Sequence, residues 1–131
     1  MTTDHDESLG PELRSTEDLE GYFISGSKPR EHWKVGVEYE NPVLDAKTGQ
    51  SVAYEGDRGI AAILASLGEQ DRWEDVRENG RLIALRDGTA SITLEPGGQV
   101  EMSGAPQASL HGARSELESH MDALAAVCKA L

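Results

Sequence analysis

Two glutamates on one alternating stretch, Glu38 and Glu40, and two more on either side of a glycine turn, Glu95 and Glu101, are the residues of this chain best placed for chemistry. Val35-Gly36-Val37-Glu38-Tyr39-Glu40 has period two, so Val35, Val37 and Tyr39 point one way and Gly36, Glu38 and Glu40 the other. The stretch from Ser91 to Pro106 reads as two strands joined at Pro96-Gly97-Gly98, a three-residue loop needing a left-handed residue. That loop opposes Glu95 to Gln99, Leu94 to Val100, Thr93 to Glu101 and Ile92 to Met102. Ile92, Leu94, Val100 and Met102 then share an apolar face, while Thr93, Glu95, Gln99, Glu101 and Ser103 share a polar one. A two-residue loop would mix the faces, because a slip of one residue turns every side chain over. Glu95 and Glu101 become diagonal neighbours, with Cβ atoms about 7 Å apart. Carboxylates so placed repel unless something positive sits between them. A single pair is ordinarily a solvated surface feature; two strand-borne pairs point to a shared polar face that attracts cations. Gln99 and Ser103 lie on that face and are candidates to touch substrate.

The remaining elements must carry and cover these strands. Ser15-Thr16-Glu17-Asp18 starts a helix, with Ser15 as cap, Leu19, Tyr22 and Phe23 as its apolar stripe and Gly26 at its end. A strand follows from about Lys34 to Glu40, stopped by Asn41-Pro42. Ile60, Ile63, Leu64 and Leu67 recur at helical spacing, and Gly68 is placed to close that helix. Trp73 and Val76 fall in a short irregular or helical piece. A strand then starts at Arg81, and Asp87-Gly88 is a two-residue hairpin signal that sets Ile83 opposite Ile92 and Leu85 opposite Ala90. Leu110, Ala113, Leu117, Met121, Leu124, Cys128 and Leu131 mark a long helix able to cover the oily side of the sheet. This stripe reaches the last residue uncapped, so the chain is expected to be truncated and to self-associate through Leu117, Met121 and Leu124.

Composition narrows the classes of function. With 131 residues and 37% hydrophobic content the chain suits one small domain or part of a larger one. Residues 1–14 read as a flexible acidic tail and 15–131 as the structured portion. There are 24 acidic and 12 basic residues, a net charge of -12, which repels nucleic acid and anionic membranes. No run of eighteen apolar residues and no basic, apolar leader is present, giving the expectation of a soluble cytoplasmic protein. Cys128 is the only cysteine and reads as a small packed hydrophobe. His32, His111 and His120 lack the spacing of a zinc site. Lys28, Arg30 and Lys34 read as a solvated rim.

Several runs together carry a resemblance: Gly36-Val37-Glu38-Tyr39-Glu40, Tyr54-Glu55 ahead of Gly59-Ile60, Trp73-Glu74, Ile83-Ala84-Leu85, and above all Leu94-Glu95-Pro96-Gly97-Gly98-Gln99 with Glu101, Ser103-Gly104-Ala105-Pro106 and Leu110-His111. The segment from about Arg14 to the end resembles the opening portion of the plant and proteobacterial type of glutamate-cysteine ligase. The resemblance implies an α+β fold, part of a glutamine-synthetase-like antiparallel sheet with flanking helices. It also implies the ATP- and magnesium-dependent joining of L-glutamate to L-cysteine through a γ-glutamyl phosphate, the first step of glutathione synthesis. By motif, Glu38, Glu40, Glu95 and Glu101 would be ligands of magnesium (or manganese), a hard ion that takes oxygen donors. The family commonly has His at Tyr39 and Lys-Phe at Asn41-Pro42, so Pro42 is expected to end its strand early. The resembling enzymes are several times longer, and this chain alone is expected to be catalytically silent. The other class of function open to it is a non-catalytic acidic module that binds metal ions or a protein.

Overall fold

The turn Pro96-Gly97-Gly98 forms as its residue types require: Gly97 and Gly98 sit at φ 81° and 78°, in the left-handed region that a Cβ makes unfavourable. It joins β4 (Ala90–Glu95) to β5 (Gln99–Ser103) in the expected register, Glu95 opposite Gln99, Thr93 opposite Glu101 and Ile92 opposite Met102. The computed structural model describes residues 13–69 and 72–131. The acidic tail expected over 1–14 therefore lies, through residue 12, outside the described residues. The chain divides into two compact units, the first ending at Trp33 and the second running from Lys34 to Leu131.

In the first unit, α1 (Thr16–Ser25) is opened by a capping box in which the Asp18 amide donates to Ser15 Oγ at 3.2 Å and the Ser15 amide donates to Asp18 Oδ2 at 3.1 Å. Its expected apolar stripe is not covered, for Leu19, Tyr22 and Phe23 are all exposed. A 3-10 turn, Arg30–His32, ends at Trp33, whose indole N–H donates to the Lys28 carbonyl at 2.8 Å.

The second unit is a five-stranded antiparallel sheet in the order β1-β5-β4-β3-β2, with β1 Glu38–Pro42, β2 Glu74–Glu78 and β3 Arg81–Asp87. Together with the helices this gives the expected α+β class. The first strand begins later than expected and does not stop before Pro42, which pairs with Gln99. Proline fits there because β1 is an edge strand, where a missing N–H interrupts no ladder on the free side. Residues 74–78, expected to be irregular or helical, are a strand. Asn79 and Gly80, at φ 50° and 80°, turn it tightly into β3.

The β3–β4 register also differs from expectation. Gly88 and Thr89, not Asp87 and Gly88, make the turn, so Leu85 opposes Ile92 and Asp87 opposes Ala90. A slip of two residues preserves the face of every side chain, which is why Leu85 still points to the oily side. Ile83 does not reach the core. A bulge between Val76 and Arg77 leaves it unpaired with β2, and Leu82 is buried in its place.

The oily side is covered chiefly by α2 (Ile60–Gly68), which buries Ile60, Ile63, Leu64 and Leu67 against Leu82, Leu85, Ile92 and Val100. Each such side chain contributes about 1.5–3 kcal/mol of transfer free energy. Gly68 works by size rather than as a left-handed cap, since a Cβ there would lie 3.0 Å from Leu85 Cδ2. The long α3 (Leu110–Ala130) adds only Leu124 to the buried cluster, with Ala123, Val127 and Leu131 packed beside it. Leu117 and Met121 are half-buried and Leu124 is 6% exposed, so of the three residues expected to self-associate Leu124 packs into the chain's own core. Leu110 and Cys128 fall off the expected stripe and are exposed. Although Cys128 is exposed overall, desolvation by its packed neighbours pushes the thiol pKa up, leaving it a poor nucleophile. Among the described residues no helix is long and apolar enough to cross a membrane.

Candidate functional site

The register of β1 against β5 brings the four glutamates together on one face. Glu40 stands directly opposite Glu101, and Glu38 opposite Ser103; Glu101 in turn opposes Thr93, and Glu95 opposes Gln99. Directly opposed residues of antiparallel strands project to the same side, so Glu38, Glu40, Glu95 and Glu101 share the surface turned away from α2 and the buried cluster. Glu95 and Glu101 are diagonal neighbours, as the alternation required. The Glu40–Glu101 pair is tighter still, with Cβ atoms of opposed residues about 5 Å apart.

Each of three glutamates is oriented by a neighbour. Gln99 Nε2 donates to Glu40 Oε2 at 3.0 Å, Thr93 Oγ1 to Glu95 Oε1 at 2.9 Å, and Ser103 Oγ to Glu101 Oε1 at 2.7 Å. Gln99 and Ser103, expected to touch substrate, are thus engaged with the acids. The ion pairs of the described residues lie elsewhere, Arg72 with Asp87, Arg77 with Asp75, Arg81 with Glu55 and Arg114 with Glu118. The four acids therefore have no neutralising side chain within ion-pair distance among the described residues.

The donor set fits a hard divalent cation in kind: carboxylate oxygens, held by neutral donors, uncompensated and exposed or half-buried. Among the described residues no group of three or more His, Cys, Asp or Glu side chains is gathered closely enough to enclose a metal ion.

Arg86 shares the polar face, a position the strand pattern left unassigned. It opposes Ser91, which opposes Ser103, which opposes Glu38, so a guanidinium stands on the same face as the acids, across β4 and β5 from β1. Strand spacing puts it about 14 Å from Glu38. The outward position of Arg86 beside the inward Leu85 was readable from alternation alone.

His32 and His111 are exposed. His120 lies on the oily side, 6% exposed, with Nε2 unpartnered among the described residues; burial pushes its pKa down, and Arg72 adds to the effect. A cavity of about 700 Å³ lies apart from the carboxylate face. It lies between the 43–59 loop, the start of α2 and the end of α3, and none of the four glutamates lines it.

Comparison with known proteins covers most of this chain. The model of glutamate-cysteine ligase family 2 matches residues 34–131. The chloroplastic glutamate-cysteine ligase of Brassica juncea is 40% identical over 121 residues, 92% of this chain and 23% of the relative. Ligase A of Oryza sativa subsp. japonica is 40% identical over 111 residues (85% and 22%), and the Solanum lycopersicum enzyme 39% over 124 residues (95% and 23%). The chain thus spans about a quarter of the length of these relatives. All three are named chloroplastic, which goes against the cytoplasmic expectation; neither net charge nor the lack of an apolar run distinguishes one aqueous compartment from another. Matched by the family model from Lys34 to its last residue, the chain belongs to glutamate-cysteine ligase family 2.

Proposed function

We propose that the chain is the N-terminal part of an ATP- and magnesium-dependent glutamate-cysteine ligase, and that its polar sheet face is the shelf on which nucleotide phosphates and glutamate meet. The observation that supports this reading most is Glu40 opposed to Glu101, with no ion-pair partner for either among the described residues. Like charges directly across a strand pair destabilise the fold, so a pairing that tolerates them has a use for an ion between them. Glu38, Glu40, Glu95 and Glu101 would hold magnesium (or manganese), which when bound supplies neutralisation of phosphate oxygens. The shelf corresponds to part of a glutamine-synthetase-like sheet.

In the reaction this reading implies, an oxygen of the side-chain carboxylate of L-glutamate attacks the γ-phosphorus of ATP, and ADP leaves with the electron pair of the broken P–O bond. The amine of L-cysteine then attacks the acyl phosphate; its nitrogen loses a proton, inorganic phosphate departs, and γ-glutamylcysteine is left for glutathione synthesis. Positioning and charge stabilisation dominate such phosphoryl transfers. The contributions of this chain are orienting ones. Gln99, Thr93 and Ser103 fix one oxygen each of Glu40, Glu95 and Glu101, so these carboxylates are oriented before any ligand arrives. Arg86 offers a cation on the same face for a phosphate or a substrate carboxylate.

The test is the binding of ATP by the 131-residue chain, measured by calorimetry with magnesium and again in EDTA. Binding should require the metal and should fall at least tenfold on Glu95→Gln. ATP binding of equal strength in EDTA would remove the shelf from the mechanism. Metal-dependent binding without phosphate release in the presence of ATP, glutamate and cysteine is the expected behaviour of the isolated chain.

A further inference from the structure

Glu116 lies on α3, yet both of its carboxylate oxygens are committed to the segment that follows β5. The Ala105 amide donates to Oε1 at 3.0 Å, and Gln107 Nε2 donates to Oε2 at 3.3 Å. Hydrogen bonds to a carboxylate are about twice as strong as neutral ones, so the half-buried Glu116 is a firm anchor for residues 104–107. That segment in turn holds the approach to β1. Val35 and Gln107 exchange both backbone hydrogen bonds, at 2.9 and 2.7 Å, and the Gly104 amide donates to the Val37 carbonyl at 2.8 Å. Val37 immediately precedes Glu38. As an edge strand, β1 has β5 as its single neighbour in the sheet; its register is set by that pairing and by the 104–107 segment.

We propose that Glu116 is a positioning residue for the cation site: by clamping residues 104–107 it holds Glu38 and Glu40 of β1 in line with Glu101 of β5. The like charges of Glu40 and Glu101 push β1 away from β5, and the clamp opposes that push from outside the acidic face. Gly104 belongs to the same device. A Cβ there would stand 2.8 Å from Glu116 Oε2 and 3.3 Å from its Cδ, so a glycine is what lets the carboxylate reach the Ala105 amide. This inference rests on the reading of the carboxylate face given above.

Three variants and one control test it in the full 131-residue chain. Glu116→Ala removes the clamp. Gly104→Ala displaces the flexible end of Glu116 without removing an acid. Glu116→Gln keeps an oxygen for the Ala105 amide, while Gln107 can turn its own amide to match. Glu118→Ala, the control, breaks an exposed ion pair with Arg114 on the same helix. Amide hydrogen exchange at Gly104 and Gln107 reports the clamp, and calorimetric titration with MnCl2 reports the site. Glu116→Ala and Gly104→Ala should speed exchange at both amides and weaken Mn2+ binding by about 10- to 100-fold, the usual range for outer-shell partners of a metal site. Glu116→Gln should recover most of the affinity, and Glu118→Ala should leave it unchanged. Faster exchange in Glu116→Ala with undiminished Mn2+ affinity would overturn the inference alone. A wild-type chain that takes up no Mn2+ would overturn the carboxylate reading and this inference with it.

Discussion

Replacing Glu101 by Gln should move stability and metal affinity in opposite directions. Glu101 opposes Glu40 across β1 and β5 and lies diagonal to Glu95. Taking the Cβ spacing of an opposed pair, about 5 Å, as the nearest separation of the charges, two unit charges repel by at most roughly 0.8 kcal/mol in bulk water and about 3 kcal/mol at an effective dielectric constant near 20. Glu40 is exposed and Glu101 half-buried, so the lower part of that range applies, about 1 kcal/mol. Glutamine keeps the Oε1 that accepts the Ser103 hydroxyl, and the substitution removes charge with little change in packing. Without divalent ions and at low ionic strength, Glu101→Gln should therefore stabilise the chain by about 1 kcal/mol. At a slope of about 1 kcal/mol/M, that is a rise of about 1 M in the urea midpoint. In 1 M NaCl, where the Debye length is about 3 Å, most of the gain should vanish. The same variant should bind Mn2+ at least tenfold more weakly. A Glu101→Gln chain less stable than wild type at low salt, or one with unchanged Mn2+ affinity, would refute the idea that the acids are held together for an ion.

Gly97 sits at φ 81°, and a Cβ added there would meet no atom within 4 Å, so its substitution costs backbone conformation and nothing else; Gly97→Val should lower stability by about 1 kcal/mol or more, read as a lower melting temperature, and an unchanged melting temperature would contradict the assigned turn. His120 gives a pH signature. Burial holds its folded pKa below the ordinary value of about 6.5, so the unfolded chain takes up a proton first. Stability is then fully present above about pH 6.5 and falls as pH drops through the folded pKa. His120→Gln should flatten the urea midpoint between pH 7 and pH 5, and an equal fall in both proteins would assign the acid sensitivity to other groups.

The carboxylate hairpin was legible in the sequence because three signals agreed there: the turn residues, the alternation of Ile92, Leu94, Val100 and Met102, and the separation of acids onto the other face. β2 was not, because its five residues, Glu-Asp-Val-Arg-Glu, hold one apolar side chain and show no pattern. Asn79-Gly80, the strongest short hairpin signal in the chain, was available and marks that turn. At β3 two turn placements competed, and the dipeptide Asp87-Gly88 pointed to the wrong one; the face of Leu85 survived because the error was even. The exchange of Ile83 for Leu82 arises from a bulge, a tertiary accommodation with no local signature. For the candidate site, the placing of Glu38 and Glu40 on one face of their strand and of Glu95 and Glu101 on one face of the hairpin was legible from residue type and alternation. The opposition of Glu40 to Glu101 and the clamp at Glu116 depend on pairing between distant segments, which periodicity does not encode.

The strand order has a consequence for how the acidic face comes into being. β2 to β5 follow one another through tight turns, so Glu95 and Glu101 are brought near each other by a hairpin that closes locally. β1 reaches the same sheet only by a long return: Glu40 and its partner Gln99 are 59 residues apart. Closing a loop of that length removes roughly 3–4 kcal/mol of chain entropy before any contact rewards it. An ion shared by Glu40 and Glu101 would tie the two ends of this loop, much as a covalent staple does, and would make the attachment of β1 depend on ionic conditions while the rest of the meander remains indifferent to them.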